Sequence, residues 1–156
     1  MALQERYDIF EPGDLTALVC IDHPEIQPVV LDQLTAIDYR IHVGLFNDDV
    51  VLKLRSHPYD VIVISENFGG VDLTNNPIIT TAITLPTTQR RRQFLALLGP
   101  SFVTNDEMMS FVYSVDLVMH EGDIGSFQPV LRRAVARHKE FYQPFFDVLK
   151  VHGGGM

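Results

Sequence analysis

Five short apolar runs, each followed by a stretch with helical spacing, constrain the fold of this chain more than anything else in it. The runs lie at residues 16–21, 39–44, 60–64, 94–98 and 116–119. A short unbroken apolar run suits a strand buried on both faces, as in a parallel sheet covered by helices. The intervening stretches carry helix signals. Residues 25–37 place Ile26, Val29, Val30 and Leu34 on one helical face, with Pro28 early enough to be tolerated. Asn47-Asp48-Asp49 is positioned to cap a helix carrying Val50, Val51, Leu52 and Leu54, and His57-Pro58 ends it. Residues 78–92 predict a helix interrupted near Pro86, weakened by its threonines and isoleucines. Asn105-Asp106-Glu107 caps a helix to about Ser114, and a last helix starts near Ser126 and passes Arg132, Arg133 and Phe141.

Strands alternating with helices predict a three-layer α/β sandwich around a five-stranded parallel sheet. Right-handed crossovers leave few topologies, and five units in 156 residues favour the flavodoxin-like order 2-1-3-4-5. In that arrangement a site forms beyond the carboxyl ends of the strands, at the switch point between the first and third. The expected organisation is an N-terminal extension at 1–14, a domain at 15–138, and a helical extension with a glycine-rich tail at 139–156.

Charge and composition narrow the function. A formal net charge of -8 argues against non-specific nucleic-acid binding. The basic run Arg90-Arg91-Arg92 stands against that trend and reads as a solvated helix end. The single cysteine, Cys20, permits no internal disulfide and suits a reducing cytoplasm. The first residues lack the apolar core of a signal peptide, and no apolar run approaches the ~20 residues that span a bilayer.

The third strand leads from Tyr59-Asp60 through an apolar run into Ser65-Glu66-Asn67, and the first ends in Ile21-Asp22-His23-Pro24. With the hydrophobic rhythm of residues 15–138, these segments resemble the response-regulator receiver domain family, of which CheY is an example. The resemblance implies a phosphoacceptor pocket at the sheet's carboxyl rim, and this chain departs from it at most positions. Only Asp22 remains of the acids that hold magnesium. Ser65 stands where the phosphoacceptor aspartate is expected, Gly99 at the hydroxyl position ending the fourth strand, and about His120 at the lysine ending the fifth. A lone carboxylate is a thin magnesium site. A serine hydroxyl is a weak nucleophile without a neighbouring base, and the lysine charge that would stabilise phosphoryl oxygens is gone. The expectation is a degenerate pseudo-receiver: not an enzyme, without metal or cofactor, regulating through a protein partner in the cytoplasm of a bacterial two-component system.

Three sharper uses of this rim are conceivable. Ser65 with His23 or His120 and Asp22 suggests a serine nucleophile with a histidine base, although Gly-x-Ser-x-Gly is absent. Asp22, His23, His120 and Glu121 suggest a zinc site, although no close ligand spacing supports it. Glu66, one residue past the acceptor position, suggests a fixed stand-in for the charged state, with less charge than a phosphoryl group. A competing reading is a small flavodoxin-like enzyme or ligand-binding protein using the 65–72 loop. Against it, Asp22-His23-Pro24-Glu25 would repel a phosphate after the first strand.

The C-terminal extension is distinctive. Receivers usually end near the equivalent of Arg137 or His138, whereas this chain continues with Phe141, Tyr142, Phe145, Phe146, Val148 and Leu149, and with Pro144 expected to kink the helix or start a second one. Phe141, Tyr142, Phe145, Phe146 and Leu149 share a broad helical face, which predicts a homodimer or partner interface.

Overall fold

The structure is a computed structural model that describes residues 3–152, the last three by their backbone alone. The glycine-rich tail lies outside the described residues. The strands are β1 (Leu15–Cys20), β2 (Tyr39–Val43), β3 (Val61–Ser65), β4 (Phe94–Gly99) and β5 (Leu117–His120). All neighbouring strands pair in parallel, in the order β2-β1-β3-β4-β5. The helices are α1 (Gln27–Ala36), α2 (Asn47–Ser56), α3 (Pro77–Ile83), α4 (Thr87–Arg92), α5 (Glu107–Tyr113) and α6 (Phe127–His152). This is the predicted sandwich and strand order.

Alternation along the strands divides the core into two layers. Ala17, Val19, Val61, Val63, Ala96, Leu98, Leu117 and Met119 pack with Leu31 and Leu34 of α1 and Phe127 and Leu131 of α6. Leu18, Cys20, Ile62, Ile64, Leu95, Leu97 and Val118 pack with Val50 and Leu54 of α2 and Ile78 and Ala82 of α3. Burial on both faces is why each strand appears in the sequence as a continuous apolar run.

The local differences from expectation have physical causes. Asn47 is the first residue of α2 rather than its cap. The Asp49 carboxylate caps from inside by accepting from the Leu45 amide at 3.0 Å. The predicted break at Pro86 separates α3 from α4, since Asn76 caps α3 and the proline precedes α4. Asp106 caps α5 by accepting from the Met108 and Met109 amides. Pro144 starts no second helix, because α6 continues through it and across the expected boundary at 138/139.

The N-terminal extension is built into the fold. Tyr7 forms an antiparallel bridge with His42 on β2. The Asp8 amide donates to Ile41 O, and the Val43 amide donates to Arg6 O. Buried Gln27 exchanges side-chain hydrogen bonds with the backbone of Gln4. The segment therefore covers the otherwise open edge of β2. Its sequence does not alternate and carries no strand signal.

Candidate functional site

The carboxyl ends of β1, β3 and β4 meet at the rim where the sequence points. Ser65 is the last residue of β3 rather than the first of a loop, and is buried. Its hydroxyl donates to the Cys20 carbonyl of β1 at 3.4 Å. It thus bridges two strand ends and has no histidine as a base: His23 Nδ1 accepts from the Glu25 amide, and His120 Nδ1 accepts from the Gly122 amide. His120 caps the 3-10 turn after β5, and the Thr104 hydroxyl accepts from its backbone amide while donating to Asp123 at 2.6 Å. The serine–histidine arrangement suggested by the sequence is not formed. Nor is the zinc site: among the described residues, no group of three His, Cys, Asp or Glu side chains is placed to hold a metal ion.

Asp22 is engaged by the loop above it. Its carboxylate accepts from the Gly69 amide at 2.9 Å. Gly69 has a left-handed backbone (φ 68°), and a Cβ there would lie 2.5 Å from Asn47 Nδ2. Glycine is therefore favoured by conformation, and a larger residue would also have to displace the Asn47 side chain. Farther along the loop, the Asp72 carboxylate accepts from Thr74 and Asn75, which holds its own carboxyl below the usual carboxylate range.

Glu66 gives the rim its particular character. Its carboxylate accepts from the Ser101 amide at 3.2 Å and from the Ser101 hydroxyl at 2.7 Å. Its backbone amide donates to Leu98 O at 2.7 Å. The side chain lies directly over Gly99. A Cβ on Gly99 would come within 2.6 Å of Glu66 Cβ and closer still to Oε1. The glycine where a hydroxyl residue is expected and the glutamate one position past the expected aspartate thus form one packed unit. Sequence reading singled out both residues but missed the link, because Ser101, which holds the carboxylate, carries no signal beyond lying just after Gly99-Pro100.

A second candidate surface lies along α6. A groove of about 390 Å³ separates α5 from α6, lined by Glu107, Asp116, His138, Phe141 and Tyr142 among others. Asp116, half-buried in its lining, accepts from the Leu95 amide at 2.8 Å and faces Arg90 and His138 at 3.6 and 3.7 Å. Burial raises the Asp116 carboxyl and lowers the His138 imidazole from their ordinary values.

The Arg90-Arg91-Arg92 run is not a free solvated end. Arg90 donates to Ser114 O at 2.6 Å, Arg91 lies over the Phe145 ring at 4.3 Å and over Tyr142 at 5.8 Å, and Arg92 lies over Phe146 at 4.3 Å. The run is legible as charge, but only the return of α6 past α4 supplies its aromatic partners. The five aromatic-face residues are consequently divided. Phe145, Phe146, Tyr142 and Leu149 are half-buried, while Phe141 is 76% exposed and the neighbouring Val148 56%.

Comparison with known proteins agrees with this geometry. The receiver domain of a sensor histidine kinase from Pseudomonas aeruginosa, with a magnesium ion in its active-site cleft, matches with a TM-score of 0.62. The match has 16% identity over 80% of this chain and 99% of that one. A Francisella response-regulator receiver domain matches with a TM-score of 0.60, at 15% identity over 80% and 98%. The chemotaxis response regulator CheY4 of Vibrio cholerae matches with a TM-score of 0.57, at 12% identity over 76% and 99%. The fold is that of receiver domains. Neither a family model nor a curated relative matches the sequence. No helix among the described residues is long and apolar enough to cross a membrane.

Proposed function

We propose that this receiver-like chain is a regulatory module that is not phosphorylated on aspartate and that works through protein–protein contact. The carrying observation is that the rim's polar groups are engaged within the chain. Ser65 is turned onto Cys20, Asp22 onto Gly69, and Glu66 onto Ser101 over Gly99. An acyl phosphate requires a carboxylate nucleophile, and the residue at that position is a buried serine. The competing reading of a ligand-binding protein or enzyme on the 65–72 loop has less support. Two grooves, of about 390 and 470 Å³, flank α6 instead.

The contact surface is the face formed by α5, β5 and α6, and its occupant is a second copy of the chain. Phe141 and Val148 are exposed on α6, seven residues apart along one helical stripe. Met108, Phe111 and Val112 are exposed on α5 at positions i, i+3 and i+4. Clusters of exposed apolar side chains mark interfaces, and a two-fold dimer is the commonest cover.

Two measurements test the proposal. Incubation with magnesium and acetyl phosphate should leave the intact mass unchanged, and a stoichiometric, alkali-labile gain of one phosphoryl group would refute the non-phosphorylated reading. Sedimentation should show a dimer that Phe141→Glu with Val148→Glu converts to a folded monomer. A wild type that is monomeric at high micromolar concentration removes the homodimer. Phe141→Glu with Phe145→Glu is a less clean variant, because Phe145 also carries Arg91.

A further inference from the structure

Two aromatic rings of the N-terminal segment enclose a buried histidine. His42, on the edge strand β2, is 1% exposed. Tyr7 stacks on its ring at 3.8 Å between centroids and Phe10 at 3.9 Å, each tilted by only 6°. Both ring nitrogens are engaged. Nε2 lies 2.9 Å from the Asp8 carbonyl and Nδ1 lies 2.7 Å from the Tyr59 hydroxyl. A carbonyl oxygen only accepts, so Nε2 carries the proton, and in the neutral ring Nδ1 accepts from the Tyr59 hydroxyl. This is the neutral imidazole with every hydrogen bond made.

We propose that residues 4–10 form a strap over the edge of β2 that is closed while His42 is neutral and released when His42 takes up a proton. The strap depends on this ring. Tyr7, Asp8 and Phe10 all bind it. The remaining ties are the paired backbone at Arg6/Val43 and Asp8/Ile41, the Asp8 carboxylate on the Ile41 amide, Arg6 on Thr35, Gln4 on Gln27, Lys53 over the Tyr7 ring, and edge contacts of Phe10 with Tyr59 and of both rings with His57. Tyr7 and Ile9 are otherwise largely exposed.

The groups facing His42 set the sign. From α2 and the loop after it come Lys53 and His57, whose ring centroid is 5.0 Å away. From β3's approach comes the neutral Tyr59, and from the strap itself come the Asp8 carbonyl and carboxylate. His57 also meets the strap, with Nε2 at 3.3 Å from the Tyr7 hydroxyl. Burial foremost, then the positive charges of His57 and Lys53, lower the His42 imidazole below its ordinary value, against opposition from Asp8. Opening returns the ring to water and to an ordinary value near ~6.5. The stability that the closed strap derives from neutral His42 is therefore fully present above that value. It is lost as pH falls from there through the closed-state value. Release uncovers the Ile41 and Val43 backbone at the edge of β2, a surface able to pair with an extended chain.

The test uses the full-length protein. Amide exchange of Asp8 and Val43, corrected for the intrinsic pH dependence of exchange, is measured between pH 7.5 and 5.0, together with the imidazole C–H signals of His42. The expected result is a loss of protection at both amides that begins as pH falls below about 6.5 and levels off where the His42 signals titrate. His42→Gln, which can still donate to Asp8 and accept from Tyr59 but does not titrate, should abolish the dependence, and His57→Gln should retain it. Pronounced protection that is independent of pH overturns the proposal. So does a dependence that persists in His42→Gln or vanishes in His57→Gln. If His42→Gln does not fold, a wild-type loss that levels off where the His42 signals titrate, together with the His57→Gln result, still decides it.

Discussion

Placing one methyl group on Gly99 probes the packed unit at the rim. Gly99 has no left-handed backbone, so alanine is conformationally acceptable there and the effect is steric. The new Cβ would lie 2.6 Å from Glu66 Cβ. That atom is close to the main chain and cannot escape by a change in the outer torsions alone. Glu66 must swing away, and its two bonds from Ser101 are lost. At about 1 kcal/mol net for each bond in this partly exposed setting, and about 1 kcal/mol for the displacement, Gly99→Ala should cost about 3 kcal/mol. In a Glu66→Gly background the three atoms nearest the new Cβ are gone, and the same substitution should cost less than about 1 kcal/mol, leaving a coupling of about 2 kcal/mol. Urea unfolding of the four proteins, followed by circular dichroism, measures this cycle. Additivity to within about 0.5 kcal/mol would refute the packing of Glu66 on Gly99.

Further outcomes follow from the same geometry. Magnesium at sub-millimolar concentration should not raise the melting temperature, because Asp22 is engaged by Gly69; a clear rise abolished by Asp22→Ala would show a working site. Arg91→Ala should destabilise the protein by about 0.5–1 kcal/mol through loss of the ring contacts with Phe145 and Tyr142. Phe145→Leu should lose most of that coupling, and a strictly additive double mutant would remove the cation–ring interaction.

The sequence by itself determined the sheet. Apolar runs such as 60–64 and 94–98 are continuous because each strand is buried on both faces, and the capped helices between them force parallel crossovers. It also located Asp22, Ser65, Glu66, Gly99 and His120 at strand ends, since strand order follows from that alternation. What those residues touch was decided only by tertiary approach. Whether Ser65 faces a histidine or Cys20, and whether Glu66 points to solvent or to Ser101, depends on contacts between segments as many as 45 residues apart in the chain. Local propensity does not encode such contacts. The same holds for Arg91 and Arg92, whose ring partners lie on a different helix. The N-terminal segment is the sharpest case. Residues 4–10 have no strand pattern, and they pair with β2 because His42 supplies a ring for Tyr7 and Phe10 to enclose and because the edge strand leaves its backbone groups open.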